Sequence, residues 1–210
     1  MQILDAPQGS IEWLTARAGR VTASRVADVL DKTAKGLPTA KRTSYLWQVV
    51  EESRTGRPAT CVVTAAMQWG SETEPFARQA YLEETGYECV ETGLIVSDEL
   101  DRLAYSPDGL IGSEGLLEIK CPMSTTHYQR LHAGIVPDQY KPQMATGMLV
   151  TGRSWCDYYD YDPRLPLDDQ SLRVRYTRED AADLIETIKV EVPLFLAEVD
   201  QIIEDLKNRF

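Results

Sequence analysis

Residues 104–122 have the sequence Ala-Tyr-Ser-Pro-Asp-Gly-Leu-Ile-Gly-Ser-Glu-Gly-Leu-Leu-Glu-Ile-Lys-Cys-Pro, and the fold has to be built around this stretch. Its second half, residues 116–121, is short, apolar and β-prone. Side chains alternate between the two faces of a strand, so Glu118 and Lys120 lie side by side on one face. The apolar residues between them point the other way. This pattern predicts a strand with a core on one side and a charged pair on the other.

A second carboxylate, Asp108, lies in the turn region before that strand. If residues 103–106 pair with residues 116–121 as a hairpin, Asp108 and Glu118 converge near one point. Two converging carboxylates repel each other unless a positive charge lies between them, and a hard divalent cation such as Mg²⁺ accepts such oxygen ligands. Lys120 would then position or deprotonate an attacking water, or stabilise charge on a phosphorane. These residues predict metal-assisted hydrolysis of a phosphodiester.

The same residues also allow an ordinary interpretation. Ser-Pro-Asp-Gly is a common turn sequence, because proline fixes φ and glycine takes the unusual conformation. Glu-Ile-Lys is equally common at the exposed edge of a strand. The strand context favours the functional interpretation, because Glu118 and Lys120 share a face that has an apolar face behind it.

Length and composition predict a single globular domain over residues 1–210, with 43% apolar and 26% charged residues. The four cysteines, Cys61, Cys89, Cys121 and Cys156, form no Cys-x-x-Cys pair, and there are only two histidines. A structural zinc site is therefore not expected. No apolar run is long enough to span a bilayer and no signal peptide is recognisable, so we expect a cytoplasmic protein with no membrane association.

The net charge of −11 counts against nucleic-acid binding, for which a basic surface is usual. The potential where the substrate lies matters more than the total charge. An acidic protein can confine its lysines and arginines to one channel. The charge alone therefore does not exclude a nuclease.

The remaining patterns predict an α+β fold, with a central mixed β-sheet flanked by helices. Thr22 is expected to cap the first short helix. Pro75 is expected to kink or break its helix, and Pro193 is expected to bend its helix. Helices are predicted over residues 22–30, 41–55, 63–85, 124–133, 138–150 and 184–206. Strands are predicted over residues 87–96, 103–106, 116–121, 155–161 and 172–177, the first three as a meander.

Several motifs in this order resemble one family. Ser106-Pro-Asp-Gly-Leu110 followed by Leu117-Glu-Ile-Lys-Cys-Pro122 is similar to the phage lambda exonuclease and YqaJ-type viral recombinase family, within the PD-(D/E)xK, restriction-endonuclease-like superfamily. The likeness extends over residues 11–165 and includes further motifs: Trp13-Leu-Thr-Ala-Arg17, Trp69-Gly-Ser-Glu-Thr-Glu74, Tyr140-Lys-Pro-Gln143 and Tyr161-Asp-Pro-Arg164.

The resemblance implies roles for individual residues. Asp108, Glu118 and the carbonyl of Ile119 would be metal ligands and Lys120 the catalytic lysine, while Glu74 and Gln143 would be further active-site residues. A second set would bind the DNA end: Arg17, Ser24 and Ser106 at the 5′-phosphate, Met67 as an apolar wedge, and Lys35 in a basic loop. For Arg17, Glu74 and Gln143 the alternative is a solvated surface residue, and for Met67 it is a core residue.

The resemblance further implies an exonuclease that uses two Mg²⁺ ions, with Mn²⁺ as a possible substitute. It would degrade linear double-stranded DNA in the 5′-to-3′ direction, release mononucleotides, and leave 3′ single-stranded overhangs for a single-strand annealing protein. A ring-shaped homotrimer would make it processive. An endonuclease, or a non-catalytic binder of DNA ends on the same fold, remains the alternative.

Overall fold

The computed structural model describes residues 2–60 and 63–209, so Cys61 lies outside the described residues. The chain alternates between helices and short strands. In order, the elements are β1 (Gln2–Leu4), α1 (Ile11–Arg17), β2 (Val21–Thr22), α2 (Val26–Val29), α3 (Ala40–Thr55), α4 (Ala65–Thr85), β3 (Cys89–Val90), β4 (Leu94–Val96), β5 (Leu103–Tyr105), β6 (Gly109–Ile111), β7 (Gly115–Lys120), α5 (Ser124–Ala133), α6 (Lys141–Thr151), β8 (Trp155–Tyr161), β9 (Ser171–Thr177) and α7 (Ala182–Lys207).

The strands form two mixed sheets, which confirms the α+β class but divides the expected central sheet. One sheet has four strands in the order β1-β4-β5-β2, and the other has five in the order β3-β6-β7-β8-β9. The β2–β5 and β7–β8 pairs are parallel, and the remaining pairs are antiparallel. Helices pack against both faces of the five-stranded sheet.

The predicted meander is wrong, because β5 and β7 belong to different sheets. Pro107 lacks a backbone donor and ends the first run, and the chain starts a new strand, β6, at Gly109. β6 forms the hairpin with β7, and Gly109 lies opposite Leu117. One residue further along the same antiparallel register, Asp108 lies opposite Glu118. The predicted convergence of these two carboxylates occurs, but through a different hairpin.

The helix ends follow their capping signals closely. Gly56 and Gly86 end α3 and α4 in the left-handed conformation, and Thr64 caps α4 by accepting a hydrogen bond from the Met67 amide. Pro75 and Pro193 both lie within continuous helices. The helix break that the sequence allowed at Pro75 therefore does not occur.

Thr22 departs from the prediction. It precedes a 3₁₀ turn over Ala23–Arg25, and its side chain makes no capping bond. The Thr22 hydroxyl instead contacts Arg17 and Ser24, each at 3.4 Å.

Strand β7 is buried on both faces because two apolar clusters enclose the five-stranded sheet. Leu116 belongs to the larger cluster, which includes Phe195 from α7. Leu117 and Ile119 belong to the smaller cluster, which Tyr81 from α4 completes. Glu118 thus lies in the interior rather than at an exposed edge. Among the helices of the described residues, none is long and apolar enough to cross a membrane.

A buried polar network supports β8 beside the strand that carries Glu118. His127 of α5 is fully buried, with Nδ1 2.6 Å from a carboxylate oxygen of Asp160 and Nε2 2.8 Å from the carbonyl oxygen of Asp169. A carbonyl only accepts hydrogen bonds and a carboxylate is an acceptor, so this arrangement favours the imidazole that carries a proton on both ring nitrogens. Burial by itself lowers the pKa of His127, but the bonds to Asp160 and Asp169 raise it overall.

The contribution of His127 to stability should therefore depend on pH. A raised folded-state pKa means that the stabilisation is complete below the unfolded value of about 6.5 and is lost as pH rises through the higher folded value. We expect His127→Gln to lower the melting temperature most at low pH, and the difference from wild type to shrink as the pH is raised. His132→Gln, at an exposed position on the same helix, is the matched control. A difference that stays constant with pH would show that His127 is neutral.

Candidate active site

The β6–β7 hairpin brings the predicted catalytic groups together. Asp108 accepts a 2.7 Å hydrogen bond from the backbone amide of Ile119. Glu118 is fully buried, and one of its oxygens, Oε1, is ion-paired with Lys120. The other oxygen, Oε2, is buried without a hydrogen-bond partner among the described residues. This unpartnered oxygen is a free ligand in the interior.

The turn of this hairpin is held by one side chain. Arg153 donates from Nη1 to three carbonyl oxygens, those of Ile111 at 3.2 Å, Gly112 at 2.8 Å and Gly115 at 2.7 Å. The bonds fasten the two ends of the turn to one guanidinium. They stabilise the register that places Asp108 opposite Glu118.

A small cavity of about 120 Å³ collects most of the predicted site residues. It joins α1, the segment after β2, the β5–β6 connection, β7 and α6. Of the predicted residues, its walls contain Arg17, Ser24, Ser106, Asp108, Glu118, Lys120 and Gln143. The sequence motifs that contribute them are far apart in the chain, and the fold brings them to one place.

A larger cleft of about 1170 Å³ adjoins this cavity and shares Arg17 and Asp108 with it. Glu74 and Met67 from α4 line the larger cleft, and Met67 is largely exposed there rather than part of a core. Lys35 lies in an exposed turn and lines neither space. Its predicted contact with DNA has no support from its position.

Burial dominates the electrostatics of the acidic residues. Burial raises the pKa of Glu118 to about 7 despite the opposing effect of Lys120. Burial and then the charge of Asp108 raise the pKa of Glu74 to about 7, and burial also raises the pKa of Asp108. For Lys120, burial acts to lower the pKa, but Glu118 and Asp108 raise it above its usual value. Burial therefore disfavours the ionised form of all three acids, whereas Lys120 keeps its proton.

The Trp13 ring fixes the position of the Arg17 guanidinium in the wall of the cavity. Its guanidinium lies 3.9 Å from the centre of the Trp13 ring, and Trp13 in turn donates a 2.9 Å hydrogen bond to Ser106. Arg17 forms no ion pair with any residue in 2–60 or 63–209, and burial lowers its pKa. A half-buried guanidinium without an acidic partner is suited to receive an anion.

The donor set fits a hard cation that keeps several waters. Within the described ranges there is no group of three or more His, Cys, Asp and Glu side chains arranged to hold a metal ion. The available ligands are the carboxylates of Asp108 and Glu118, including the unpartnered Oε2, and the Ile119 carbonyl. The N–H and C=O of one strand residue face the same side, so that carbonyl points toward Asp108, where the Ile119 amide is already bonded. Few oxygen ligands with room for water are what Mg²⁺ prefers.

Sequence reasoning missed three side chains that contact the site. Arg78 on α4 bonds both Glu74 and the main chain of Asp108. The Tyr105 hydroxyl is buried in the cavity wall, close enough to the Glu118 carboxyl group to interact with it. The Tyr140 ring lies 5.2 Å from the Lys120 ammonium, and the Tyr140-Lys-Pro-Gln143 motif does not by itself indicate this contact. Only the Glu74–Arg78 spacing of four residues on one helix could have indicated any of these contacts.

The fold and the Asp108–Glu118–Lys120 cluster define the class: a restriction-endonuclease-like α+β fold of the PD-(D/E)xK type. A family model, the YqaJ-like viral recombinase domain, matches residues 12–154. The chain belongs to this family. A comparison with curated proteins gives no match.

Solved structures agree with this assignment. The chain is 44% identical to the alkaline exonuclease LHK-Exo from Laribacter hongkongensis, with a TM-score of 0.87 over 95% of this chain and 97% of that one. The structure of LHK-Exo in complex with dAMP matches at the same identity and coverage, with a TM-score of 0.88. A phage-related exonuclease from Haemophilus somnus 129PT is 16% identical, with a TM-score of 0.68 over 89% of this chain and 96% of that one, and supports the fold alone.

The burial of ionised carboxyl groups should make the metal-free protein less stable than it could be. Because the folded-state pKa of Asp108 is raised, its ionised form destabilises the fold at pH 8. Asn at this position keeps an oxygen that can accept the Ile119 hydrogen bond. We expect Asp108→Asn to unfold at a higher temperature than wild type in EDTA at pH 8, by about 2–4 °C for each kcal/mol gained.

Asp101→Asn, at a 90% exposed position, serves as the control and should change little. A lower melting temperature for Asp108→Asn in EDTA would contradict the electrostatic description of the site.

Proposed function

We propose that this protein is a Mg²⁺-dependent exonuclease that degrades linear double-stranded DNA in the 5′-to-3′ direction. It releases 5′-mononucleotides and leaves 3′ single-stranded overhangs. The observation that carries the proposal is the single cavity in which Asp108, Glu118 and Lys120 lie beside an unpaired Arg17. Family membership and the 44% identity to a protein described as an alkaline exonuclease support it.

The adjoining cleft supports a nucleic-acid substrate despite the net charge of −11. Arg17 and Arg20 line it without forming ion pairs among the described residues, so their charges are available to a phosphate backbone. Acidic side chains, among them Glu74 and Asp108, line the same cleft, so these arginines act locally and the cleft is not basic as a whole. The dAMP bound by LHK-Exo, a deoxynucleoside monophosphate, is consistent with a mononucleotide product.

The residues divide the chemistry between them. Asp108, Glu118 and the Ile119 carbonyl would hold Mg²⁺, which when bound supplies a Lewis acid for the scissile phosphate and the attacking water. Lys120 carries a proton and lies at the same point, so it stabilises the negative charge that develops on the phosphate. Glu74 extends the acidic set from α4, and Gln143 offers an amide that can orient a water.

The DNA end is recognised at the other side of the cavity. Arg17 binds the 5′-phosphate through its guanidinium, and the hydroxyls of Ser24 and Ser106 add hydrogen bonds. Met67, which projects from α4 into the larger cleft, contacts the terminal base pair. A terminal phosphate held at Arg17 places the adjacent phosphodiester at Lys120 and Asp108, which makes the enzyme specific for ends.

The catalytic residues are tested on 5′-phosphorylated linear duplex DNA with Mg²⁺. We expect Lys120→Ala and Asp108→Ala each to lower the rate of mononucleotide release by about 10²-fold or more, because each removes a group that touches the reacting phosphate. Lys207→Ala, which removes an exposed lysine of α7, is the control and should leave the rate unchanged. A wild-type rate in either active-site variant would contradict the mechanism.

A covalently closed circular duplex in the same assay separates this proposal from an endonuclease. An exonuclease needs an end and leaves the circle intact, whereas an endonuclease digests it.

The 5′-phosphate site has its own test. We expect Arg17→Ala to reduce the preference for 5′-phosphoryl over 5′-hydroxyl ends, because a charge-assisted hydrogen bond to the phosphate is lost. The ratio of kcat/KM values for the two duplexes measures this preference directly. An unchanged ratio, whatever the absolute rates, would show that Arg17 does not bind the terminal phosphate.

The assembly and partners are further parts of the proposal. A ring-shaped homotrimer would enclose the DNA and make degradation processive, and the 3′ overhang would pass to a single-strand annealing protein in the cytoplasm of the cell. We expect a solution mass of three chains by light scattering. The mass of a single chain would remove the ring and the processivity that depends on it.

A further inference from the structure

Arg78 connects α4 to the active-site hairpin. It lies one helical turn after Glu74, and its side chain is only 13% exposed although it carries a charge. Burying an arginine is costly unless its N–H donors form hydrogen bonds, so the groups that accept those bonds indicate the role of the residue.

The guanidinium reaches three acceptors on three different elements. Its Nε donates to the carbonyl oxygen of Asp108 at 3.0 Å, and its Nη2 donates to Glu74 Oε1 at 2.6 Å. Its Nη1 lies 3.2 Å from Glu91 Oε2, on a side chain that is 70% exposed. Because the guanidinium is planar and its donors form a rigid fork, these contacts fix the acceptors relative to one another.

Asp108 is consequently held at both ends. Its main chain is bound by Arg78 where the chain enters β6, and its carboxylate is bound by the Ile119 amide of β7. The same guanidinium orients Glu74. The positions of two of the acidic residues therefore depend on one side chain that lies between them.

We propose that Arg78 is a positioning residue, which holds Asp108 and Glu74 in the arrangement that binds the divalent cation and acts on the phosphodiester. This inference rests on the proposed function. It attributes the effect of Arg78 to geometry, because a lysine would keep the positive charge but could not make the same three contacts.

Two variants separate geometry from charge: Arg78→Lys keeps the charge and Arg78→Met removes it. The matched controls are Arg173→Lys and Arg173→Met, because Arg173 also pairs with a glutamate of α4, Glu84, but lies on β9 away from the cavity. The first measurement is the binding of Mn²⁺ without DNA, from the loss of the free-ion signal in electron paramagnetic resonance. The second is kcat and KM on 5′-phosphorylated linear duplex.

We expect both Arg78 variants to bind Mn²⁺ about tenfold to a hundredfold more weakly and to lose kcat by a similar factor, with little change in KM for the duplex. Glu91→Ala, which removes only the exposed contact, should stay within about twofold of wild type. The Arg173 variants should match wild type in both measurements. If Arg78→Met fails to fold, Arg78→Lys still decides the question.

Two outcomes overturn the proposal. If Arg78→Lys matches wild type in Mn²⁺ binding and in kcat, charge alone is sufficient. If KM rises and its dependence on salt weakens while kcat and Mn²⁺ affinity stay constant, Arg78 binds a DNA phosphate instead. Failure of the wild-type protein to degrade linear duplex would count against the proposed function, whereas the Mn²⁺ measurement tests the positioning of the acids without DNA.

Discussion

The burial of two carboxyl groups, Asp108 and Glu118, on one hairpin is the constraint around which the site is arranged. The β6–β7 register places the two residues opposite each other, with Glu118 fully buried and Asp108 half-buried, and the low dielectric there strengthens the repulsion between ionised carboxylates. Lys120 relieves part of it by pairing with one oxygen of Glu118, and the other oxygen remains unpartnered in the described structure. A cation at this point would neutralise both acids, and its binding there is the basis of the proposed activity.

The arginines of the protein differ in whether they are paired with carboxylates. The chain is acidic overall, yet Arg17 and Arg20 line the large cleft without forming ion pairs in the described part of the chain. Most other arginines are paired with carboxylates, for example Arg42 with Glu198 and Arg175 with Asp157. Two arginines without acidic partners thus lie where phosphates would arrive, whereas others, such as Arg153, bind main-chain carbonyl oxygens elsewhere. Total charge is therefore a poor guide to the substrate of this protein.

The sequence predicted the strand β7 and the shared face of Glu118 and Lys120, because alternation along a strand is a local property. It did not predict β6, which has only three residues, Gly109–Ile111, and follows a proline. The expected hairpin partner was therefore wrong, and the acids nevertheless met because Asp108 directly precedes β6. Arg78 was missed for another reason: its bond to the Asp108 main chain spans 30 residues, and no local pattern encodes such a contact.

The ordered motifs that carry the family likeness contact one another in the fold. Arg164 of one motif stacks on Trp69 of another, with the guanidinium 4.1 Å from the ring centre. That contact ties the end of β8 to α4, the helix that carries Glu74. Lys35 had no comparable motif behind it, and the structure places it in an exposed turn away from the cavity. Residues from several ordered motifs therefore lie together at one cavity, whereas this single loop lysine does not line it.

The most direct test of this account is an anomalous difference map from crystals of the protein grown with Mn²⁺. The account predicts a peak between the carboxylates of Asp108 and Glu118, within coordination distance of the Ile119 carbonyl. A map without a peak there, while the two carboxylates keep the positions described here, would contradict the central claim that this pair is a cation site.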